Sequence, residues 1–166
     1  MLAKKTALIT GVTGQDGAYL AKLLLEKNYH VVGAVRRAST LNLPRLAALN
    51  IDRDVELQTL DVQDLTNIVR MIETVQPDEI YNLSGQSSPQ ASFQQPLYTG
   101  ETSGLGTLRL LEAIRLIKAS ARFYQASSSE IFGQAQSNTL DETTDFRPKS
   151  PYGVAKLYAH WIVINY

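Results

Sequence analysis

One turn constrains this chain more than any other feature. The stretch Gly11-Val12-Thr13-Gly14-Gln15-Asp16-Gly17 follows an apolar run, Thr6 to Thr10, and opens onto the helix-periodic segment Ala18 to Lys27. An apolar run of that length bounded by glycine reads as a buried strand. A strand, a tight glycine turn and a helix in that order leave backbone N–H groups free at a helix N-terminus, which is a place for a pyrophosphate. The glycines serve the turn, the approach of backbone to phosphate and the packing of helix on strand. Their spacing is G-x-x-G-x-x-G rather than the commoner G-x-G-x-x-G, so the flanking strand and helix carry much of the inference.

The rest of the chain repeats that alternation. Val31 to Val35, Val55 to Leu60, Glu79 to Leu83 and Arg122 to Ser127 read as four further strands. Between them, helices are expected from Leu43-Pro44 to Asn50, from Leu65 to Val75 and from Thr107 to Lys118, with a last one starting near Tyr152. Ser84 to Pro96 reads as a polar loop. Alternating strands and helices predict an α/β fold: a doubly wound, Rossmann-type parallel sheet of five or more strands with helices on both faces. Such sheets bind ligands beyond the carboxyl ends of their strands. The residues there are Gly11 to Gly17, Arg36-Arg37, Asp61-Val62, Ser84 to Ser87 and Ser128 to Glu130, the most polar and unusual of the chain.

Composition removes several alternatives. The 166 residues hold 16 Lys plus Arg and 16 Asp plus Glu, so no global field draws the chain to nucleic acid or membrane. With no cysteine and only His30 and His160, thiolate sites are excluded and no metal is expected. Met1 to Lys5 carries no leader-like pattern and no run approaches a membrane span, which predicts a cytoplasmic protein. The pattern stops in mid-helix at Ile164-Asn165-Tyr166, without a glycine cap or a proline stop. The expectation is an N-terminal portion of a longer protein.

Two constellations carry chemistry. Arg36 lies about twenty residues beyond the glycine turn, where this fold places its ribose-binding group. An acid there accepts from a 2′-hydroxyl, whereas Arg36 and Arg37 offer donors to a 2′-phosphate, so NADP is the expected cofactor. Asp61 either meets the adenine amino group or caps the next helix. The second constellation is Tyr152-Gly153-Val154-Ala155-Lys156, whose phenol and ammonium share one helix face at i and i+4. A nearby ammonium favours phenolate and suits the tyrosine to act as a base. Ser127-Ser128-Ser129 supplies hydroxyls and Glu130 a carboxylate at the end of the fifth strand; the bland reading of the serines is loop capping.

Glycine turn, serine run and Tyr-x-x-x-Lys together resemble the extended short-chain dehydrogenase/reductases. Ala7 to Gly17, Tyr81-Asn82-Leu83, Gly106 to Leu111, Phe123 to Gly133 and Ser150 to Trp161 resemble, more narrowly, the GDP-mannose 4,6-dehydratase family. The resemblance implies that 1–166 is an NADP-binding domain that also carries the catalytic residues, with the substrate-binding remainder lying beyond it. It implies cofactor contacts from Gly11, Val12, Thr13, Gly14, Gln15, Asp16, Gly17, Arg36, Arg37, Asp61, Val62, Leu83, Ser84, Gly85, Gln86, Ser87, Tyr98 and Lys156. It also implies Tyr152 as base at the sugar 4-hydroxyl, Ser128 as its hydrogen-bond partner and Glu130 as base at C5. The implied partners are a nucleotide sugar, GDP-mannose foremost, and further copies of the chain through the helices Thr107–Lys118 and Tyr152–Tyr166. Leu108, Leu111, Leu157, Trp161 and Ile164 are the expected apolar surface. The alternatives are a reductase or epimerase of the same superfamily and a non-catalytic NADP-binding module. Glu130 separates these, because plain hydride transfer at C4 needs no second base. Ser128 stands where many relatives have threonine, and Ser84-Gly85, Ser88-Pro89 and Gly100 to Ser103 also depart from the common pattern.

Overall fold

Strand β1 (Thr6–Thr10) sits at the centre of a five-stranded parallel sheet because its apolar residues are needed on both faces. The computed structural model describes residues 4–39, 42–118, 120–134 and 139–166; Met1 to Ala3 lie outside them. The sheet order is β3 (Glu56–Thr59), β2 (His30–Val35), β1, β4 (Glu79–Asn82), β5 (Arg122–Gln125). The order reverses at β1, which leaves a crevice above the carboxyl ends of β1 and β4. Ala7 and Ile9 of β1 pack with α1 (Gln15–Glu26) and α2 (Pro44–Ala48), through Ala18, Ala21, Leu24 and Leu46. Leu8 faces the other way, onto α3 (Leu65–Val75) and, further along the chain, the helix Gly106–Ile117, through Ile68, Ile72 and Leu110. The doubly wound plan expected from the alternation is what the chain adopts.

The expected strand and helix positions hold with ends shifted by a few residues, Leu65–Val75 without any shift. The segment Ser84 to Pro96 is the main correction. It contains α4 (Pro89–Gln94), followed at once by α5 (Pro96–Thr99). The side chain of Ser88 accepts from the N–H of Ala91 and a proline occupies the first turn of each helix, both helix-start signals that a count of polar residues hides. The chain then continues through a π-helical turn, Gly100–Leu105, into α6 (Gly106–Ile117). The last helix, α7 (Pro151–Asn165), packs against that π turn and α6.

Not all of the expected outward residues face outward. Leu111 is buried, and Leu108 and Leu157 are only half-exposed. A helix must first bury its own stripe on the sheet. Val154, Tyr158, Trp161 and Ile164 form the exposed face of α7 instead. Among the described residues no helix is long and apolar enough to cross a membrane.

At the opposite end from the crevice, Glu79 gathers three partners. Its carboxylate accepts from Tyr81 at 2.8 Å, Tyr29 at 3.1 Å and Lys5 at 3.2 Å. Burial pushes the Glu79 carboxyl up, but the hydrogen bonds from Tyr81, Lys5 and Tyr29 outweigh it and hold the group below the usual carboxylate range. Burial and the same contact push the Tyr81 phenol up to about 12. A carboxyl depressed by folding contributes stability above its unfolded pKa of about 4.3, and that contribution is lost as pH falls through the folded value. Glu79→Gln is therefore expected to lower Tm near neutrality, with the gap to the unaltered protein closing toward about pH 3. Thermal melts across that range check this; a gap independent of pH contradicts it.

Candidate active site

The crevice is a cleft of about 690 Å³ above the carboxyl ends of the strands. Its floor is the glycine turn. Gly11 has φ +73°, and a Cβ there would lie 2.9 Å from the carbonyl of Leu83. Gly17 lets α1 close on the turn, since its Cβ would lie 2.4 Å from the Gly11 carbonyl oxygen. Helices α3, α4 and α7 are capped by the side chains of Asp64, Ser88 and Ser150, whereas Gly14 caps α1 with no side-chain bond. The start of α1 thus faces the cleft with no side chain over it. These features fit the phosphates of a dinucleotide.

Around that floor the cleft is lined by Gly11, Thr13, Gly14, Gln15, Asp16, Gly17, Arg36, Asp61, Val62, Leu83, Ser84, Gly85, Ser87, Tyr98, Ser127, Tyr152 and Lys156. Arg36 Nη1 donates to the Tyr98 hydroxyl, so two expected cofactor residues meet in the wall of the cleft. Asp61 accepts from the N–H of Gln63 at 2.9 Å; Asp64, not Asp61, caps α3. Val12, Arg37, Gln86, Ser128 and Glu130 do not line the cleft. Val12 is fully buried against the core and brings only its backbone to the turn. Arg37 is exposed. The side chain of Gln86 closes on its own loop, bonding the N–H and carbonyl of Ser88 at 2.6 and 2.9 Å.

Tyr152 and Lys156 enter from α7, which Pro151 and the Ser150 cap start at a fixed place. Both are buried, 8% and 7% exposed. The Lys156 ammonium lies 5.9 Å from the Tyr152 ring centre and donates to the Ala126 carbonyl at 2.9 Å. Burial pushes the Lys156 pKa down. Ser128 and Glu130 are half-buried around the short 3₁₀ turn Ser129–Ile131, which Ser128 caps: its side-chain oxygen accepts from the N–H of Glu130 at 3.2 Å. The capping role and a functional one are compatible, since the hydroxyl proton remains to donate. Gly153 brings this turn against α7: a Cβ there would lie 2.7 Å from the Glu130 carbonyl oxygen. The phenol, ammonium, hydroxyl and carboxylate thus come from two segments in direct backbone contact.

The sequence model of the GDP-mannose 4,6 dehydratases matches residues 8–166. This chain belongs to that family. It is 51% identical over 170 residues to the GDP-mannose 4,6-dehydratase of Vibrio cholerae, covering 98% of this chain and 46% of that protein. The human GDP-mannose 4,6 dehydratase is 48% identical over 171 residues, with the same coverage of 98% and 46%. The chain spans about half the length of these curated relatives. Its fold is shared with the UDP-Glc/GlcNAc 4-epimerase of Campylobacter jejuni, with TM-score 0.87 and 20% identity over 97% of this chain and 48% of that one. It is shared too with the UDP-glucose 4-epimerase of Brucella ovis in complex with NAD, with TM-score 0.85 and 24% identity over 98% and 47%.

Sequence reasoning missed the polar groups beneath the cleft. Thr10, Asn82 and Gln125 are register partners across β1, β4 and β5. Thr10 donates to Asn82 Oδ1 at 2.6 Å, and Asn82 Nδ2 donates to Gln125 Oε1 at 2.7 Å. Thr102, on the π turn, also lines the cleft, while its neighbour Ser103 accepts from the N–H of Gln86 at 3.1 Å. The signal was a polar residue near the carboxyl end of each of three predicted strands, where an apolar residue would bury more cheaply.

Proposed function

We propose that the full-length protein converts GDP-mannose to GDP-4-keto-6-deoxymannose, with 1–166 as its NADP-binding domain and the source of its catalytic residues. The observation that carries this is the backbone contact at Gly153, which sets Tyr152 and Lys156 beside the turn bearing Ser128 and Glu130, in a chain of this family. NADP held in this cleft would supply reversible hydride acceptance, so that the net reaction is loss of water without an external reductant. Tyr152 takes the proton of the 4-hydroxyl while Ser128 hydrogen-bonds that oxygen. The Lys156 ammonium favours the phenolate form that accepts the proton. Glu130 takes the C5 proton and passes one to the departing 6-hydroxyl, and a proton equivalent to the one Tyr152 took is returned to C5 as C6 is reduced, which leaves loss of one water as the balance. A base at the second carbon is what a reductase or 4-epimerase does not need.

The glycine turn holds the pyrophosphate, and the Arg36 guanidinium, placed by Tyr98, favours the 2′-phosphate of NADP over the 2′-hydroxyl of NAD. The exposed Val154, Tyr158, Trp161 and Ile164 of α7 suit it to a homo-oligomeric contact, which light scattering of the full-length protein reads directly. A cytoplasmic site fits a substrate that is a soluble nucleotide sugar. The test is to incubate the full-length protein with GDP-mannose and either cofactor. The expected product lacks one water, needs no stoichiometric reductant and forms more readily with NADP. A product that keeps all its oxygen, or no turnover, overturns the assignment; equal affinity for NAD overturns the cofactor choice.

A further inference from the structure

The row of polar residues under the cleft ends on Gln125, and Gln125 points at the one carbonyl that holds Lys156. Gln125 Nε2 donates to the Ala126 carbonyl oxygen at 3.1 Å, and Lys156 Nζ donates to the same oxygen at 2.9 Å. The other end of the amide accepts from Asn82 Nδ2 at 2.7 Å and from the Thr107 hydroxyl at 3.2 Å. Asn82 is fixed in turn by hydroxyl protons from Thr10 at 2.6 Å and Ser84 at 2.8 Å. Thr10, Asn82 and Thr107 are essentially buried, at 1%, 2% and 0% exposure. In a largely buried network of this kind most rearrangements leave a polar group unpaired, which holds the Gln125 amide in place.

We propose that Gln125 is a positioning residue for Lys156: it fixes the Ala126 carbonyl that anchors the ammonium under Tyr152. The chain leaves β5 at Gln125; the N–H of Ala126 still donates to the Asn82 carbonyl at 3.0 Å, but the Ala126 carbonyl itself lies beyond the last strand pair. Without a fixed donor its peptide plane is free to turn. One ammonium proton is used on that carbonyl and two remain for the cleft. A lysine tethered at one proton keeps its remaining protons aimed; an untethered one swings toward solvent. This rests on the proposed role of Tyr152 and Lys156, and part of its test does not.

Two variants of the full-length protein test it. Gln125→Met keeps the length of the side chain and removes both its functions. Gln125→Glu keeps an oxygen that accepts from Asn82 and Thr107 and, once ionised, replaces the donor to Ala126 with a charged acceptor that repels that carbonyl. In both, Lys156 is expected to be acetylated by acetic anhydride at least about threefold faster relative to the exposed Lys27, as its tether is lost. That readout needs no substrate or cofactor, so it stands even if the activity proposed for the protein is wrong. In both, the acid limb of the kcat profile is also expected to move up by about one pH unit, since a displaced ammonium no longer favours phenolate, with roughly a tenfold loss below it. KM for the nucleotide sugar is expected to stay within about twofold. A lower Tm with unchanged Lys156 labelling and an unmoved acid limb makes Gln125 a core residue only and overturns the proposal. Failure of both variants to fold overturns it too.

Discussion

Glu130→Gln in the full-length protein is expected to oxidise the sugar at C4 and then stop. The amide keeps the size of the side chain and leaves the backbone of the turn alone, so the Ser128 cap and the approach of Gly153 to the Glu130 carbonyl both survive. What is lost is an oxygen able to accept the C5 proton. General-base contributions of this kind are worth about 10²–10⁴-fold in rate, and the dehydrated product is expected to fall by that factor. Reduced-nicotinamide absorbance should instead rise once with GDP-mannose, because the first half of the reaction does not use this carboxylate. Product at the normal rate would mean that another group serves C5.

Tyr152→Phe is expected to give the complementary result, with no absorbance change and no product. Tyr152 is 8% exposed and capped into place by Ser150 and Pro151, so removing its oxygen leaves the packing of α7 almost unchanged. Removing the acceptor of the 4-hydroxyl proton stops the first step, again by about 10²–10⁴-fold. Cofactor affinity should change little, since Lys156 and the glycine turn remain. The two variants divide the reaction between them: one oxidises and cannot dehydrate, the other does neither. If Tyr152→Phe still shows the initial absorbance rise, the phenol is not the base.

The glycine turn was legible because strand, turn and helix each leave a separate mark over a dozen residues, and β1 and α1 lie where those marks put them. Tyr152 and Lys156 were legible because a helix turns an i, i+4 spacing into a shared face. The helices α4 and α5 were not, since Ser88, Pro89 and Pro96 also describe a loop and only their order marks helix starts. Asp61 shows the limit of single positions: cap and ligand read alike until Asp64 is seen to hold α3. Gln125 was illegible for a different reason. Its meaning depends on the register of β1, β4 and β5, and register between parallel strands joined by long crossovers is set by the packing of the whole sheet.

The π turn at Gly100–Leu105 gives one continuous helical column two incompatible obligations. On one side Gly104 lies against Ala155 and Tyr158 of α7 and Thr102 lines the cleft; on the other Gly106 lies against Val62 and Thr107 joins the row beneath the sheet edge. A uniform α-helix carries its side chains around by about 100° per residue and cannot satisfy both sets of neighbours with this sequence. The extra residue accommodated by the wide turn acts as a frame correction within a single helix. Deleting Gly100, beside which a side chain would meet no neighbour within 4 Å, removes little mass but slips the frame. Tyr98 and its grip on Arg36 would turn away from the cleft while α6 stayed where the sheet holds it.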